Sequence, residues 1–228
     1  KSEDDLADIY MSVGFNLFFD KDLIGRWMDQ GVFKDQSGWE RLNPDFENAH
    51  LNLRDPRGQY SIIGVVPAVI VVNTNLLGDR PMPKSWADLL KPEFRNSIAL
   101  PVKDLDMFNA VMLGFYKLFG FEGIQKLGKN LLEGMHPAQM VKGAKSQQGA
   151  APALSIAPYF FATMAKENGP LQYVWPEDGA IISPIFLITK ASARDRIKKA
   201  VEFLYSRDVA ETIYVEGKFP STNPNLDN

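Results

Sequence analysis

This chain offers few residues for covalent chemistry. Its 228 residues include no cysteine and only two histidines, which excludes thiol nucleophiles, zinc–thiolate sites, iron–sulfur clusters and disulfides. His50 lies in a polar segment and is interpreted as solvated. His136 precedes Pro137, which can begin a helix, and is interpreted as a packing or capping residue rather than a soft-metal ligand. No GxSxG or HExxH motif occurs, and the GxxxxGK pattern at Gly123–Lys129 is followed by Asn130 instead of the Ser or Thr of a phosphate-binding loop. Little therefore remains for general acid–base catalysis. Neither a catalytic residue nor a cofactor is predicted.

Two carboxylates, Asp104 and Asp106, follow a predicted strand, Ser97–Leu100. They precede a helix predicted from about Met107 to Phe119, which Gly120 stops. In an open α/β sheet, ligands bind at such strand-to-helix loops because helix N-termini and backbone donors converge there. Helix capping is the commoner use of aspartate at this position. The two aspartates are therefore candidates for ligand contact, with capping alone favoured for at least one of them.

Tyr159 is a further candidate for ligand contact. It follows a predicted strand, Ala153–Ile156, and Pro158, which can start a helix. Because Tyr159, Phe160 and Phe161 cannot share one helix face, at least one ring should point away from the core, and tyrosine has the polar tip. We expect Tyr159 to line a cleft, where its phenol can donate to an oxyanion or, ionised, ligate a hard metal. The alternative is that all three rings pack into the core.

The stretch from Tyr60 to Leu100 organises the elements around these residues. Its centre, Val65–Val72, is apolar at odd and even positions alike, which predicts a strand buried on both faces. Pro67 has no amide hydrogen to donate, so regular pairing should begin at Ala68.

A short helix is predicted after this strand. Ser85 and Asp88 form a capping-box pattern, Trp86 and Leu89 should face inward, and Pro92 should end the helix. Because another strand follows, the whole stretch predicts one βαβ unit.

A second apolar run, Ile181–Thr189, again contains a proline. The two buried runs lie far apart in the chain, and each leads from one block of alternating strands and helices to another. This arrangement predicts an α/β fold of two lobes, with the chain crossing between them twice. We place the first lobe at 1–66 with 186–228 and the second at 67–185. If the two runs are paired crossing strands, ligand binding should close the lobes as a hinge.

Two outer segments have simpler predictions. Leu17–Trp27, with Leu23 and Ile24 on the same side as its tryptophan, predicts a helix. The tail FPSTNPNLDN is polar and interrupted by prolines, which predicts a surface position.

Composition narrows the class of protein. The chain is 45% hydrophobic and 23% charged, as in ordinary soluble globular domains. A formal net charge of −3 argues against nucleic acid, which requires a basic face. No apolar stretch approaches the length that spans a membrane.

Several motifs together carry a family resemblance. The phrases VVPAVIVVNTNLL and PMPKSWADLLKPEFRNSIAL, the WPEDGA turn and the helix KKAVEFLYSRDVAETI resemble, in this order, type 2 periplasmic solute-binding proteins of ABC importers. The similarity is to the branch that includes ferric-iron binders. It implies two α/β lobes hinged by crossing strands, a solute bound in the cleft, delivery to a membrane permease and a monomeric state. It also implies a periplasmic or membrane-anchored extracellular location.

The resemblance also implies a set of ligand-binding residues. Ferric binders place two adjacent tyrosines where this chain has Tyr159 and Phe160, so one phenolate is missing. We therefore expect a small anion or a chelated metal ion, with iron among the candidate metals, rather than a bare ferric ion. Tyr159 and Glu177 are the candidates for metal contact. The residues carried over by position are Ser12, Phe15, Asn16, Asp104, Asp106, Tyr159, Phe160 and Glu177.

Two other classes of protein share this fold. A ligand-sensing domain of a transcription regulator should come with a DNA-binding segment, and no basic helix occurs in this sequence. An enzyme on the same fold is the less favoured alternative. In the resembled family, a strand–helix–strand block would precede the segment LADIYMS. We expect that block, and any signal segment, to lie outside this sequence.

Overall fold

The computed structural model describes residues 2–102, 104–143, 149–165 and 169–227. The protein is a mixed α/β fold of two compact units. Unit 1 comprises Lys1–Val66 and Pro184–Asn228, and unit 2 comprises Pro67–Ser183. That these units are the lobes of a hinged receptor, divided at the positions drawn from the sequence, stays a prediction.

Unit 1 contains β-strands and several short helices. β1 pairs with the unit 1 part of β7, with Ile9 opposite Thr189 and Val13 opposite Ile185. Its elements are β1 (Ile9–Val13), α1 (Asn16–Phe19), α2 (Gly25–Asp29), the first part of β2 (Ser61–Asn73), the last part of β7 (Ile181–Thr189), α7 (Arg194–Leu204), α8 (Arg207–Val209) and a π-helix (Ala210–Val215), with single 3₁₀ turns at Glu3–Asp5 and Ala191–Ala193.

Unit 2 contains the rest of the sheet and the longest helix. Its elements are the second part of β2, α3 (Thr74–Leu77), 3₁₀ helices at Trp86–Leu90 and Pro92–Phe94, β3 (Ile98–Leu100), α4 (Leu105–Asn130), β4 (Leu131–Gly134), α5 (Pro137–Met140), β5 (Leu154–Pro158), α6 (Tyr159–Ala165), β6 (Leu171–Val174) and the start of β7.

The apolar run forms the strand predicted for it. All residues of β2 except the last are buried, so the strand has no solvent face. Its pairing with β5 extends from Ala68 to Val72. The strand itself begins at Ser61, is also a neighbour of β7 and bridges to Ser221 through Gly64, so the prediction that pairing begins at Ala68 is wrong for the strand as a whole. The capping box at Ser85 is confirmed, with Trp86 and Leu89 buried, although the turn that follows is 3₁₀ rather than α-helical.

The βαβ interpretation is wrong. β5 runs antiparallel to β2 and parallel to β3, so β2 and β3 run in opposite directions with β5 between them. The sequence pattern establishes the order of elements along the chain. Strand direction depends on pairing with β5, more than fifty residues further on, which no local pattern specifies.

The break predicted at Gly120 is present, whereas the single helix predicted near the start of the chain is not. Gly120 interrupts α4 with φ 64° and ψ −163°, as expected, but helical conformation resumes after it and α4 continues to Asn130. The helix predicted over Leu17–Trp27 is wrong, since α1 and α2 are separate. Asp20 follows α1, and its carboxylate accepts from the amide of Asp22, a local turn that competes with helix.

The surface position predicted for the tail is also wrong. Ser221, Thr222 and Asn223 are buried. The Thr222 hydroxyl donates to the Ile62 carbonyl at 2.6 Å, and the Val65 amide donates to the Pro220 carbonyl at 3.0 Å. Polar side chains can be buried when they are hydrogen-bonded, and composition alone does not show that partners are available.

Candidate functional site

The candidate site of unit 2 lies at the carboxyl ends of its parallel strands. β3 pairs parallel with both β4 and β5, so the segments that follow these strands leave from one edge of the sheet. β6 pairs antiparallel with β2, as β5 does, and therefore ends at the same edge. This carboxyl edge is where ligands bind in α/β sheets.

Asp104 and Asp106 follow β3 at this edge. The Asp104 carboxylate accepts from the Met107 amide at 3.2 Å, so it caps α4 as predicted. Asp106 is half-buried in the first turn, and burial, followed by the negative charge of Asp104, raises the pKa of its carboxyl. A raised pKa means that the charged form is disfavoured where it stands. A cation placed beside this pair would relieve that cost.

Three aromatic side chains meet at the same edge. The Tyr159 ring lies edge-on to Tyr173, with 5.5 Å between centroids, and to Trp175, with 5.2 Å between centroids. Tyr173 and Trp175 are two residues apart along an extended segment, which places both side chains on one face. Trp175 remains 46% exposed. We call Tyr159, Tyr173 and Trp175 the aromatic corner.

The hydroxyl of Tyr159 stays protonated. Burial raises its pKa, and a hydrogen bond with the Tyr173 side chain raises it further. Two hydroxyls that share one hydrogen bond still have one hydrogen to donate elsewhere. The corner therefore offers ring faces and one O–H donor rather than a phenolate.

The rings that begin α6 point in different directions. Tyr159 and Phe161 are half-buried and pack against the core cluster that includes Ala157 and Ala162. Phe160 is 39% exposed and contacts Phe161 with 5.3 Å between centroids. The ring that points furthest outward is thus Phe160, whereas the sequence argument chose Tyr159.

The turn containing Glu177 is fixed through its neighbours. The Glu177 side chain is exposed, while its backbone amide donates to the Lys84 carbonyl at 2.8 Å. Asp178 accepts from the Trp86 amide at 3.3 Å, and the Trp86 indole donates to the Gly179 carbonyl at 2.8 Å. Asp178 therefore caps the 3₁₀ helix that begins at Trp86.

The other predicted ligand-binding residues belong to unit 1. Ser12 is half-buried, and its hydroxyl donates to the Val13 carbonyl at 3.2 Å. Phe15 precedes α1, and Asn16 is its exposed first residue. Their role in binding stays a prediction, as does that of the unit 2 residues.

His136 is a cap, as interpreted from the sequence. Its Nδ1 accepts from the Ala138 amide at 3.1 Å, and the Gln139 side chain accepts from the His136 amide at 3.1 Å. Across the described ranges, no group of three or more His, Asp and Glu side chains is placed to hold a metal ion. Within the same ranges, no helix combines the length and apolar character needed to cross a membrane.

Sequence reasoning missed Tyr173 and Trp175. The available signal was the alternation of residues 172–175, with two large rings on one face and a proline directly after them. This pattern by itself predicts only a strand, because nothing in it connects these rings to Tyr159, fourteen residues before Tyr173.

Solved structures of periplasmic binding proteins share this fold. A ferric binding protein from Campylobacter jejuni superposes with a TM-score of 0.70 at 15% identity, covering 99% of this chain and 73% of that one. A periplasmic binding protein from Actinobacillus pleuropneumoniae with exogenous fructose-6-phosphate bound gives 0.67 at 20% identity, covering 98% and 71%. The architecture is that of a periplasmic binding protein.

Residues 4–228 match the family described as bacterial extracellular solute-binding protein, and the chain belongs to that family. It is 26% identical over 203 residues to the spermidine/putrescine-binding periplasmic protein of Salmonella typhimurium, a match covering 82% of this chain. It is 25% identical over 199 residues to the corresponding protein 1 of Haemophilus influenzae, covering 81%. The matches cover 56% and 53% of those relatives' lengths.

Proposed function

We propose that this chain is part of the solute-binding receptor of an ABC importer, which works outside the cytoplasm and delivers solute to a membrane permease. Family membership over residues 4–228 supports this role. The receptor is proposed to act as a monomer and to release its solute chemically unchanged, as a carrier rather than an enzyme.

The proposed solute is a small organic cation carrying protonated amines. The observation that carries this proposal is the aromatic corner, which lies at the same sheet edge as Asp104 and Asp106. Aromatic faces attract ammonium groups, and the Asp106 carboxyl, whose pKa is raised by burial and by the charge of Asp104, gains from a nearby positive charge. Two relatives whose names state that they bind spermidine and putrescine agree with this class.

An anion or a chelated metal, as expected from the sequence, is the second candidate. The spare O–H donor of the Tyr159–Tyr173 pair favours it, because a phenol can donate to an oxyanion. A metal bound directly by an ionised Tyr159 is disfavoured, since burial and Tyr173 raise the pKa of that phenol.

Titration calorimetry separates the two candidates. We would titrate putrescine and spermidine, and in parallel fructose-6-phosphate and ferric citrate, into wild-type protein, three site variants and one control variant. For an amine, Trp175→Ala should weaken binding by about 0.5–2 kcal/mol, roughly 2- to 30-fold. Asp106→Asn should also weaken it, and Tyr159→Phe should change it little because the ring is kept.

For an anion, the pattern is reversed. Tyr159→Phe should weaken binding by about 1–3 kcal/mol by leaving a ligand acceptor unpaired, and Asp106→Asn should not weaken it. Tyr116→Phe is the matched control, since Tyr116 is exposed on α4. Amine binding unaffected by Trp175→Ala and Asp106→Asn would contradict the proposed site. Mass spectrometry of the recovered solute should find it unmodified; a product exceeding one equivalent per protein would indicate an enzyme.

A further inference from the structure

Both strands that cross between the units do so at a proline. β2 passes from unit 1 to unit 2 between Val66 and Pro67, and β7 returns between Ser183 and Pro184. Proline has no amide hydrogen, so each strand lacks one ladder donor at its crossing. The two crossing strands are neighbours in the sheet order.

The chain is fixed on both sides of the β7 crossing. On the unit 1 side, the Gly14 amide donates to the Pro184 carbonyl at 2.8 Å. On the unit 2 side, α4 approaches Ile181 so closely that a Cβ built on Gly114 would lie 2.7 Å from its Cδ1. A change of backbone conformation along β7 is therefore most easily absorbed between these contacts, at residues 182–184.

Ser183 lies at this point and has an unusual side chain. It is 0% exposed, and its hydroxyl has no hydrogen-bond partner in the part of the chain that the structure describes. Ser221 provides a comparison, because it is also 0% exposed. The Ser221 hydroxyl accepts from the Asn223 amide at 3.1 Å and donates to the Ile63 carbonyl at 3.4 Å. Leaving a buried hydroxyl unpaired is costly, and such a group in a native fold calls for an explanation.

We propose that Ser183 is a conformation-dependent latch: its hydroxyl lacks a partner in the conformation described here and gains an acceptor in a second backbone conformation of the β7 crossing. The unpaired hydroxyl raises the free energy of the first conformation. It thereby keeps the second one populated before any solute binds.

The role of Ser183 as a latch rests on the proposed receptor function, because a receptor must change conformation to capture solute. Its test needs no solute. Failure of every amine, anion and metal chelate tested to bind would count against the proposed function and leave the Ser183 measurement intact.

Spin labels can report the two conformations. Because the chain has no cysteine, Lys117→Cys on α4 and Lys199→Cys on α7 place one label on an exposed position of each unit. Pulsed dipolar spectroscopy of the ligand-free protein should give two distance populations. Ser183→Ala removes the unpaired hydroxyl, so it should shift their ratio at least about fivefold towards the conformation in which that hydroxyl is unpaired and raise the melting temperature.

Ser221→Ala is the matched control, a change of the same type at an equally buried serine that has partners. It should lower the melting temperature and leave the population ratio unchanged. Identical distance distributions in wild-type protein and Ser183→Ala would overturn the proposal, whatever the melting temperatures. So would a fall in melting temperature in Ser183→Ala comparable to that in Ser221→Ala.

Discussion

The buried tail provides a direct test of how polar residues stabilise unit 1. Asn223 is 2% exposed, and both ends of its side chain are bonded. Its amide nitrogen donates to the Tyr205 carbonyl at 3.2 Å, and its oxygen accepts from the Asn225 amide at 3.0 Å. Replacing Asn223 with alanine removes both bonds and leaves the buried Tyr205 carbonyl without this donor.

The expected cost follows from these contacts. Each hydrogen bond contributes about 0.5–1.5 kcal/mol net, so Asn223→Ala should lower the free energy of unfolding by about 1–3 kcal/mol. For a chain of this length, 1 kcal/mol shifts the melting temperature by about 2–4 °C. The variant should therefore melt about 2–12 °C below wild type, as followed by circular dichroism with urea unfolding as a second measurement.

Asn225→Ala is the matched control, two residues further along the same tail. Asn225 is exposed, and its bond to Asn223 is made by the backbone amide, which alanine keeps. Its effect should stay within about 0.5 kcal/mol. Asn223→Asp should destabilise at least as much as alanine, because it replaces the donor facing Tyr205 with an acceptor. Equal stability of wild type, Asn223→Ala and Asn225→Ala would refute the bonded, buried tail.

Two further predictions concern acid stability and the hinge. Burial raises the pKa of Asp88, but hydrogen bonds from the Lys91 side chain and from the Lys84 and Ser85 amides outweigh it and lower the pKa to about 2 from 3.8. A carboxyl whose pKa is lower in the folded than in the unfolded protein stabilises the fold at pH values above its unfolded pKa, and this stability is lost as the pH falls through its folded pKa. The melting temperature of Asp88→Asn should therefore fall less than that of wild type between about pH 4 and pH 2. An equal fall in both proteins would contradict this reasoning. If the crossing strands form a hinge, small-angle scattering of the complete protein should give a smaller radius of gyration with saturating solute than without it, and identical curves at demonstrated saturation would count against the hinge.

Only part of the candidate site could be predicted from the sequence. Asp104, His136 and Pro158 could be placed at element boundaries because capping and helix initiation depend on residues within one turn. The aromatic corner could not be predicted in this way. Tyr159 and Trp175 meet because β5 and β6 both pair with β2 and end at the same edge, and pairing partners are set by the whole sheet.

The sequence by itself determined what depends on neighbouring residues. The two-sided burial of β2, the capping box at Ser85 and the helix break at Gly120 all follow from local periodicity and backbone chemistry. Tertiary structure alone decided the opposite directions of β2 and β3 and the burial of the tail around Asn223. Strand direction and the satisfaction of buried polar groups depend on partners distant in the chain, which a local pattern cannot identify.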